Sequence, residues 1–115
     1  MIRIDSYSFG EMTISGEVHK KDLIISGEKV ISPWWRKEGH RLCVEDLEGK
    51  IVEGTDILVI GTGAYGVMNV PKSFREQMEQ REITVHIART PVALKLFNQY
   101  SAQGRDVSGA FHLTC

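Results

Sequence analysis

Three glycines, Gly61, Gly63 and Gly66, close the apolar stretch LVIGTGAYG at residues 58–66. Their spacing is G-x-G-x-x-G after a strand-like run, the pattern that lets backbone amides approach a pyrophosphate. Phosphate binding of that kind needs a helix to start at the last glycine, so that its N-terminus faces the anion. Here Gly66 leads into VMNVP, and the next helical pattern begins only near Pro71. The acidic residue expected at the end of the following strand is missing too, because TVHIAR runs into Arg89 and Thr90. We therefore read the glycines as serving positive φ and close backbone approach where the chain leaves a buried strand. No NAD or NADP binding is expected, and no other cofactor. The turn still lies at the carboxyl end of a central strand, where open α/β sheets place their ligands.

The second stretch with chemistry in it is PWWRKEGH, residues 33–40. Trp34 and Trp35 cannot point the same way on an extended backbone, so one is expected in the core and the other partly exposed. Two accounts fit the stretch. In one it is a packing anchor with Arg36 and Lys37 solvated. In the other the loop offers a rigid aromatic and an arginine to a partner, a pairing common at binding hot spots. His40 and His112 invite acid–base roles, but lone histidines are more often hydrogen-bonded structural residues. His19 and His86 fall in strand-like segments and add no ligand spacing. Cys43 stands before an apparent helix, where its thiol could be activated, although a small buried thiol fits as well. Cys43 and Cys115 have the spacing of neither a disulfide framework nor a zinc site, and no metal is expected.

Composition narrows the classes. The chain has 115 residues, enough for one core but not for the two βαβαβ halves of a dinucleotide fold. Fourteen basic residues against fifteen acidic ones leave a formal charge of −1, so no basic excess points to nucleic acid. No run approaches the roughly 18 apolar residues of a membrane span, and the opening MIRIDSYSFG lacks a signal-peptide core. The closing HLTC is not a prenylation box. A cytoplasmic location is expected.

The elements that must position these residues follow from periodicity. Residues 1–32 read as β structure: EMTISGEVH breaks at Ser15-Gly16, DLIIS ends at Ser26-Gly27, and Val30-Ile31 begins another strand before Pro33. Val44, Leu47 and Ile51 have helical spacing, with Gly54 as a stop and Gly49 as a weak point. DILVIG reads as a strand covered on both faces, and EITVHIAR as the next buried strand. A helix over residues 71–80 has Pro71 in its first turn, or a Ser73/Glu76 capping box slightly later. TPVALKLFNQYSAQG is the clearest helix, with Thr90 as cap, Pro91 at the first position and Gly104 at the end. Its apolar stripe is Val92, Ala93, Leu96, Phe97 and Tyr100. DVSGAFHLTC follows as a final strand. Strand–helix–strand–helix–strand from 56 to 115 is an α/β unit, with the β-rich first third as an added layer, in one domain over 1–115.

Four blocks in this order, IDSYSFG, SPWWRKEGH, ILVIGTGAYG and HLTC, give the chain a resemblance to a family of small domains. It is the unknown-function family that includes the adipogenesis-associated Mth-domain protein and a mitochondrial complex I assembly factor. The resemblance runs from Ile4 to Cys115. It implies a prokaryotic member with a compact three-layer α/β fold around a central mixed sheet. It supplies no catalytic residues: Arg36, Gly61, Gly63, Tyr65 and Gly66 match the family motif only as signature positions. A serine is usual where this chain has Cys43, so the resemblance implies no general role for the thiol.

The resulting expectation is a non-catalytic interaction or assembly module. Its binding face would comprise Trp35, Arg36, His40, Gly61, Gly63, Tyr65 and Gly66, and it would serve a protein partner or a second copy of the chain. The alternative is a small enzyme or anion-binding protein using a pocket near Arg36 and Tyr65, with Tyr65 or His40 as acid–base group. Arg36 and Tyr65 are expected together on one accessible face. A helix from residue 44 running antiparallel to the central strand would return the 33–39 loop to the glycine turn.

Overall fold

The protein, described over residues 2–115 by a computed structural model, contains eight strands and two helices. The strands are β1 (Ile4–Ser8), β2 (Glu11–Ile14), β3 (Glu17–His19), β4 (Leu23–Ser26), β5 (Lys29–Ile31), β6 (Ile57–Thr62), β7 (Thr84–Ala88) and β8 (Val107–His112). The helices are α1 (Lys72–Gln80) and α2 (Thr90–Ala102). The main sheet has the order β5-β4-β8-β6-β7, and β1-β2-β3 form a separate antiparallel sheet. Strand β6 pairs parallel with both β7 and β8, while β4 pairs antiparallel with β8 and β5. The main sheet is therefore mixed.

Alternation along the central strands divides the core into two layers. Leu23, Ile25, Ile57, Val59 and Phe111 point to one face, against β1, β2 and the Ala93–Phe97 stripe of α2. Ile24, Leu58, Ile60 and Ala110 point to the other, against α1 through Phe74 and Met78 and against Trp34, Leu42 and Leu47. Side chains of period two on strands buried on both faces produce this split. The result is the three-layer α/β architecture with a central mixed sheet and a β-rich N-terminal layer.

Several local readings change. Only β1–β3 form the added layer, because β4 and β5 join the main sheet. Strand β7 is an edge strand, half exposed, with Ile87 open to solvent, so its apolar character covers one face rather than two. The segment from Val44 is a 3-10 turn ending at Leu47. It stops there because Gly49 takes φ +72°, and because Asp46 is tied backwards rather than along a helix. Its carboxylate accepts the amides of Cys43 and Lys37, while its carbonyl accepts Trp34 Nε1. In α1, Pro71 is the residue before the helix, and no Ser73/Glu76 box forms. In α2, Arg89 precedes the first turn, and the Thr90 hydroxyl bonds elsewhere. Val92 lies outside the apolar stripe, exposed, whereas Ala93 and Phe97 are buried.

A closed ring of hydroxyls seals the end of the sheet away from the glycine turn. The Val52 amide donates to Ser26 Oγ at 2.8 Å, Ser26 pairs with Ser108 at 2.8 Å, and Ser108 with Thr55 at 2.9 Å. Thr55 Oγ1 then returns to the Val52 carbonyl at 2.8 Å. Each hydroxyl can donate once and accept once around the ring, so three buried polar side chains are satisfied.

Strand β8 sits between β4 and β6, and Phe111 lies in the core with Phe97, their rings 6.0 Å apart. Truncation after Gly104 is therefore expected to abolish cooperative unfolding in urea. A truncated chain that melts like the parent would refute the topology.

Candidate functional site

The 33–40 loop, the glycine turn and the last residues of the sequence meet at the carboxyl end of β6. Trp34 is the anchor: it is 2% exposed, its amide donates to the Asp22 carbonyl at 2.8 Å, and its indole N–H reaches the Asp46 carbonyl. Trp35, directed oppositely, is 77% exposed. One tryptophan is core and the other is presented outward, as an extended backbone requires.

Arg36 does not lie on an accessible face; its side chain is 5% exposed. The guanidinium stacks on Trp34, with Cζ 4.7 Å from the ring centroid. Its Nη2 donates to the Gly39 carbonyl and to Asp22 Oδ2, each at 2.8 Å. The expected route to Tyr65 rested on a helix from residue 44. Without that helix, Arg36 is drawn inward by Asp22 instead. Tyr65 is 66% exposed and packs on Phe9, ring centroids 6.0 Å apart.

Asp22 joins three segments. Oδ1 accepts the Leu113 amide at 2.8 Å, and Oδ2 accepts His112 Nδ1 at 2.7 Å as well as Arg36. Burial raises the Asp22 pKa. The hydrogen bonds from His112 and Leu113, the nearby His112 charge and the bond from Arg36 outweigh that effect and hold it below the usual carboxylate range. With Asp22 ionised, His112 Nδ1 must carry the proton it donates. Both Nη2 hydrogens of Arg36 are already used, so its 3.2 Å approach to Nδ1 is a contact rather than a second hydrogen bond. Two buried atoms here have no partner among the described residues, Arg36 Nη1 and His112 Nε2. His40, exposed, meets His112 edge-on at 5.8 Å and ties the loop to the turn through its carbonyl, which accepts the Asn69 amide at 2.7 Å.

The glycine turn is filled by the protein itself. Ala64 donates to the Thr114 carbonyl at 2.6 Å and Val67 to the Cys115 carbonyl at 2.9 Å. The Gly63 amide donates to Thr90 Oγ1 at 3.0 Å, and that hydroxyl donates to the His112 carbonyl at 2.6 Å. Gly63 takes φ +106°, and a Cβ there would overlap the Cys115 backbone and sit 2.8 Å from His112 Cδ2. At Gly61 a Cβ would lie 2.8 Å from both Phe111 and Thr90 Oγ1. Close approach is thus what Gly61 and Gly63 provide, to residues 111–115 and the start of α2. Gly66, at φ +71°, lies exposed beside Arg89.

The structure therefore brings Arg36, His40 and Gly63 together around His112, and sets Trp35 and Tyr65 outward. Asp22 was missed because nothing in its spacing marks it, and of the two histidines it is His112 that Asp22 contacts. Tyr7 was missed as well: its hydroxyl donates to the Leu113 carbonyl at 2.7 Å, and burial first, then Asp22 and Tyr65, raise its pKa. Cys43 is half-buried before the 3-10 turn. Among the described residues no group of His, Cys, Asp and Glu is placed to hold a metal ion. No helix among them is long and apolar enough to cross a membrane.

Two stability outcomes follow from this geometry. Asp22→Asn leaves Arg36 and His112 without their carboxylate and is expected to cost about 3–5 kcal/mol, read as a lowered urea midpoint at pH 7. The folded pKa of Asp22 is depressed, so its contribution is complete above the unfolded value of about 3.9 and is lost as pH falls through the folded one. The gap between wild type and Asp22→Asn should close over that acidic range; a constant gap would contradict the pairing. Gly63→Ala combines a left-handed φ with overlap and is expected to cost more than about 2 kcal/mol. Gly16→Ala, at φ +82° with open space around it, should cost distinctly less. Equal costs in thermal melts would exclude close approach as the reason for the glycine.

The chain has relatives. A family model described as a protein of unknown function (DUF498/DUF598) matches residues 4–112. An uncharacterized protein of Rhodobacter capsulatus is 27% identical over 107 residues, covering 93% of this chain and 81% of its own. The crystal structure of a conserved hypothetical protein from Pyrococcus horikoshii superimposes with a TM-score of 0.82 at 26% identity, covering 98% of this chain and 99% of that one. The solution structure of a Bordetella pertussis protein described as an Mth938-like domain shares the fold, with a TM-score of 0.73 at 14% identity over 96% of this chain and 85% of that one. With the match running from the first strand to the end of the last, the chain belongs to the DUF498/DUF598 family of proteins of unknown function.

Proposed function

We propose that the protein is a non-catalytic binding module of the cytoplasm, whose partner face is the end of the fold built by the 33–40 loop, the glycine turn and residues 112–115. The observation that carries this reading is a rim of exposed aromatics: Trp35, Tyr65 and Phe9 are 77%, 66% and 55% exposed. They surround one strap. Tyr65 packs on Phe9, Gly10 beside Phe9 donates to the Leu113 carbonyl, and Ala64 beside Tyr65 donates to the Thr114 carbonyl. Thr114 and Trp35 line the same groove. Exposed aromatic surface of this kind is costly to leave in water and marks interaction sites.

Rigidity strengthens the reading. Buried Trp34 and the Asp22–Arg36 pair fix the backbone on both sides of Trp35, so presenting its ring to a partner loses little conformational freedom. The resemblance to a family containing an assembly factor fits an assembly role. A second reading, a small anionic ligand held by Arg36, is favoured by the unpartnered Nη1. Thermal shift separates the two: a resident small ligand at a hundredfold excess over Kd stabilises by about 2.7 kcal/mol.

The test is recovery of partners from the native host with the wild type and with Trp35→Ala/Tyr65→Ala. Both residues are exposed, so the variant is expected to keep the parent melting temperature while losing the partner. Retention of the same partner by a folded double variant would overturn the assigned face.

A further inference from the structure

We propose that the groove between Lys20–Asp22 and the 33–39 loop takes the carboxylates of an acidic segment on the protein partner. The inference rests on the binding-module reading and specifies the chemistry of the partner. The groove encloses about 400 Å³ and is walled by Lys20, Lys21, Asp22, Trp35, Arg36 and Thr114. Three of the nine residues that line it are cations, in a chain whose formal net charge is −1.

The two lysine charges are not consumed internally, whereas Asp22 offsets that of Arg36. Lys20 is 73% exposed and meets only Glu11, at 3.9 Å, a separation that contributes little in water. Lys21 is exposed and makes no ion pair among the described residues. Arg36 pairs with Asp22 through Nη2 alone, and its Nη1 donors are buried without a partner. Against these three cations stand Asp22 and Glu11, so the groove keeps a net positive charge. The exposed ammonium groups of Lys20 and Lys21 are what an incoming carboxylate meets first, while Arg36, held by stacking and three hydrogen-bonding contacts, fixes the wall behind them. Trp35 supplies the apolar wall that the methylene stem of a glutamate would cover.

Other occupants fit less well. A single-stranded nucleic acid is held by stacking successive bases on several rings, whereas the groove offers a single exposed ring, Trp35. A second copy of the chain would have to bring its own acidic segment, which makes self-association a separable outcome.

The probe is an acetylated, amidated decapeptide of alternating Glu and Leu, compared with the same peptide carrying Gln for Glu. Binding to the full chain is followed by tryptophan emission; Trp35 is the exposed reporter and Trp34 is buried. The Glu peptide is expected to shift emission saturably, at least tenfold more tightly than the Gln peptide, with affinity falling as salt rises. Lys20→Gln/Lys21→Gln should weaken the Glu peptide at least tenfold at an unchanged melting temperature. Equal affinity for the two peptides, or an unaffected double variant, would overturn the proposal. So would tighter binding of oligouridylate, or self-association that the Glu peptide does not reverse. Failure here is distinguishable from failure of the binding face: host partners lost by Trp35→Ala/Tyr65→Ala but kept by the lysine variant would leave the face standing and remove its acidic specificity.

Discussion

Asp22 sits where three pieces of chain must be held together, and its carboxylate has enough acceptor capacity to hold them. Its backbone carbonyl takes the Trp34 amide, and its side chain takes Leu113, His112 and Arg36. A carboxylate this enclosed is favourable only when its lone pairs are filled by strong donors, two of them able to carry positive charge. The consequence is reciprocal. Arg36 can be buried only because Asp22 neutralises it, and the 33–39 loop can close over the sheet only because Arg36 is buried. Removing the Asp22 carboxylate leaves Arg36 and His112 without their common acceptor at low dielectric.

The glycine turn depends on the same arrangement. Residues 112–115 run past it close enough that backbone meets backbone, and His112 packs where a Cβ on Gly63 would stand. Thr90 joins the layers by accepting from Gly63 and donating to His112. A hydroxyl at the first position of α2 thus holds β8 to the turn. The pattern that resembles a phosphate cradle is a packing solution for the last strand, built with the same permissive backbone.

What this rigid end presents outward is aromatic and basic: Trp35, Tyr65 and Phe9 beside Lys20 and Lys21. The buried face of the loop, Trp34 and Arg36, determines how the outward face is held. Adjacent residues of one short sequence therefore do opposite work, one half fixing the loop and the other meeting solvent.

The sequence by itself determined the central strand, the second helix and the split of the tryptophan pair. Continuous apolar runs at Ile57–Ile60 mark strands buried on both sides, Pro91 and Gly104 bound α2, and the Trp34-Trp35 pair must split between core and solvent, because these follow from local periodicity and backbone stereochemistry. The same local rules misread Val44–Ile51, where helical spacing loses to Gly49 and to the bonds of Asp46 with residues 34, 37 and 43. Only the tertiary structure decided the site. Asp22, Arg36 and His112 are scattered along the chain, and their meeting depends on β8 inserting between β4 and β6. No spacing encodes that insertion, because strand order is set by which faces bury best rather than by order along the chain. The direction in which Arg36 turns was likewise illegible, since an arginine in a loop points outward until a buried carboxylate draws it in.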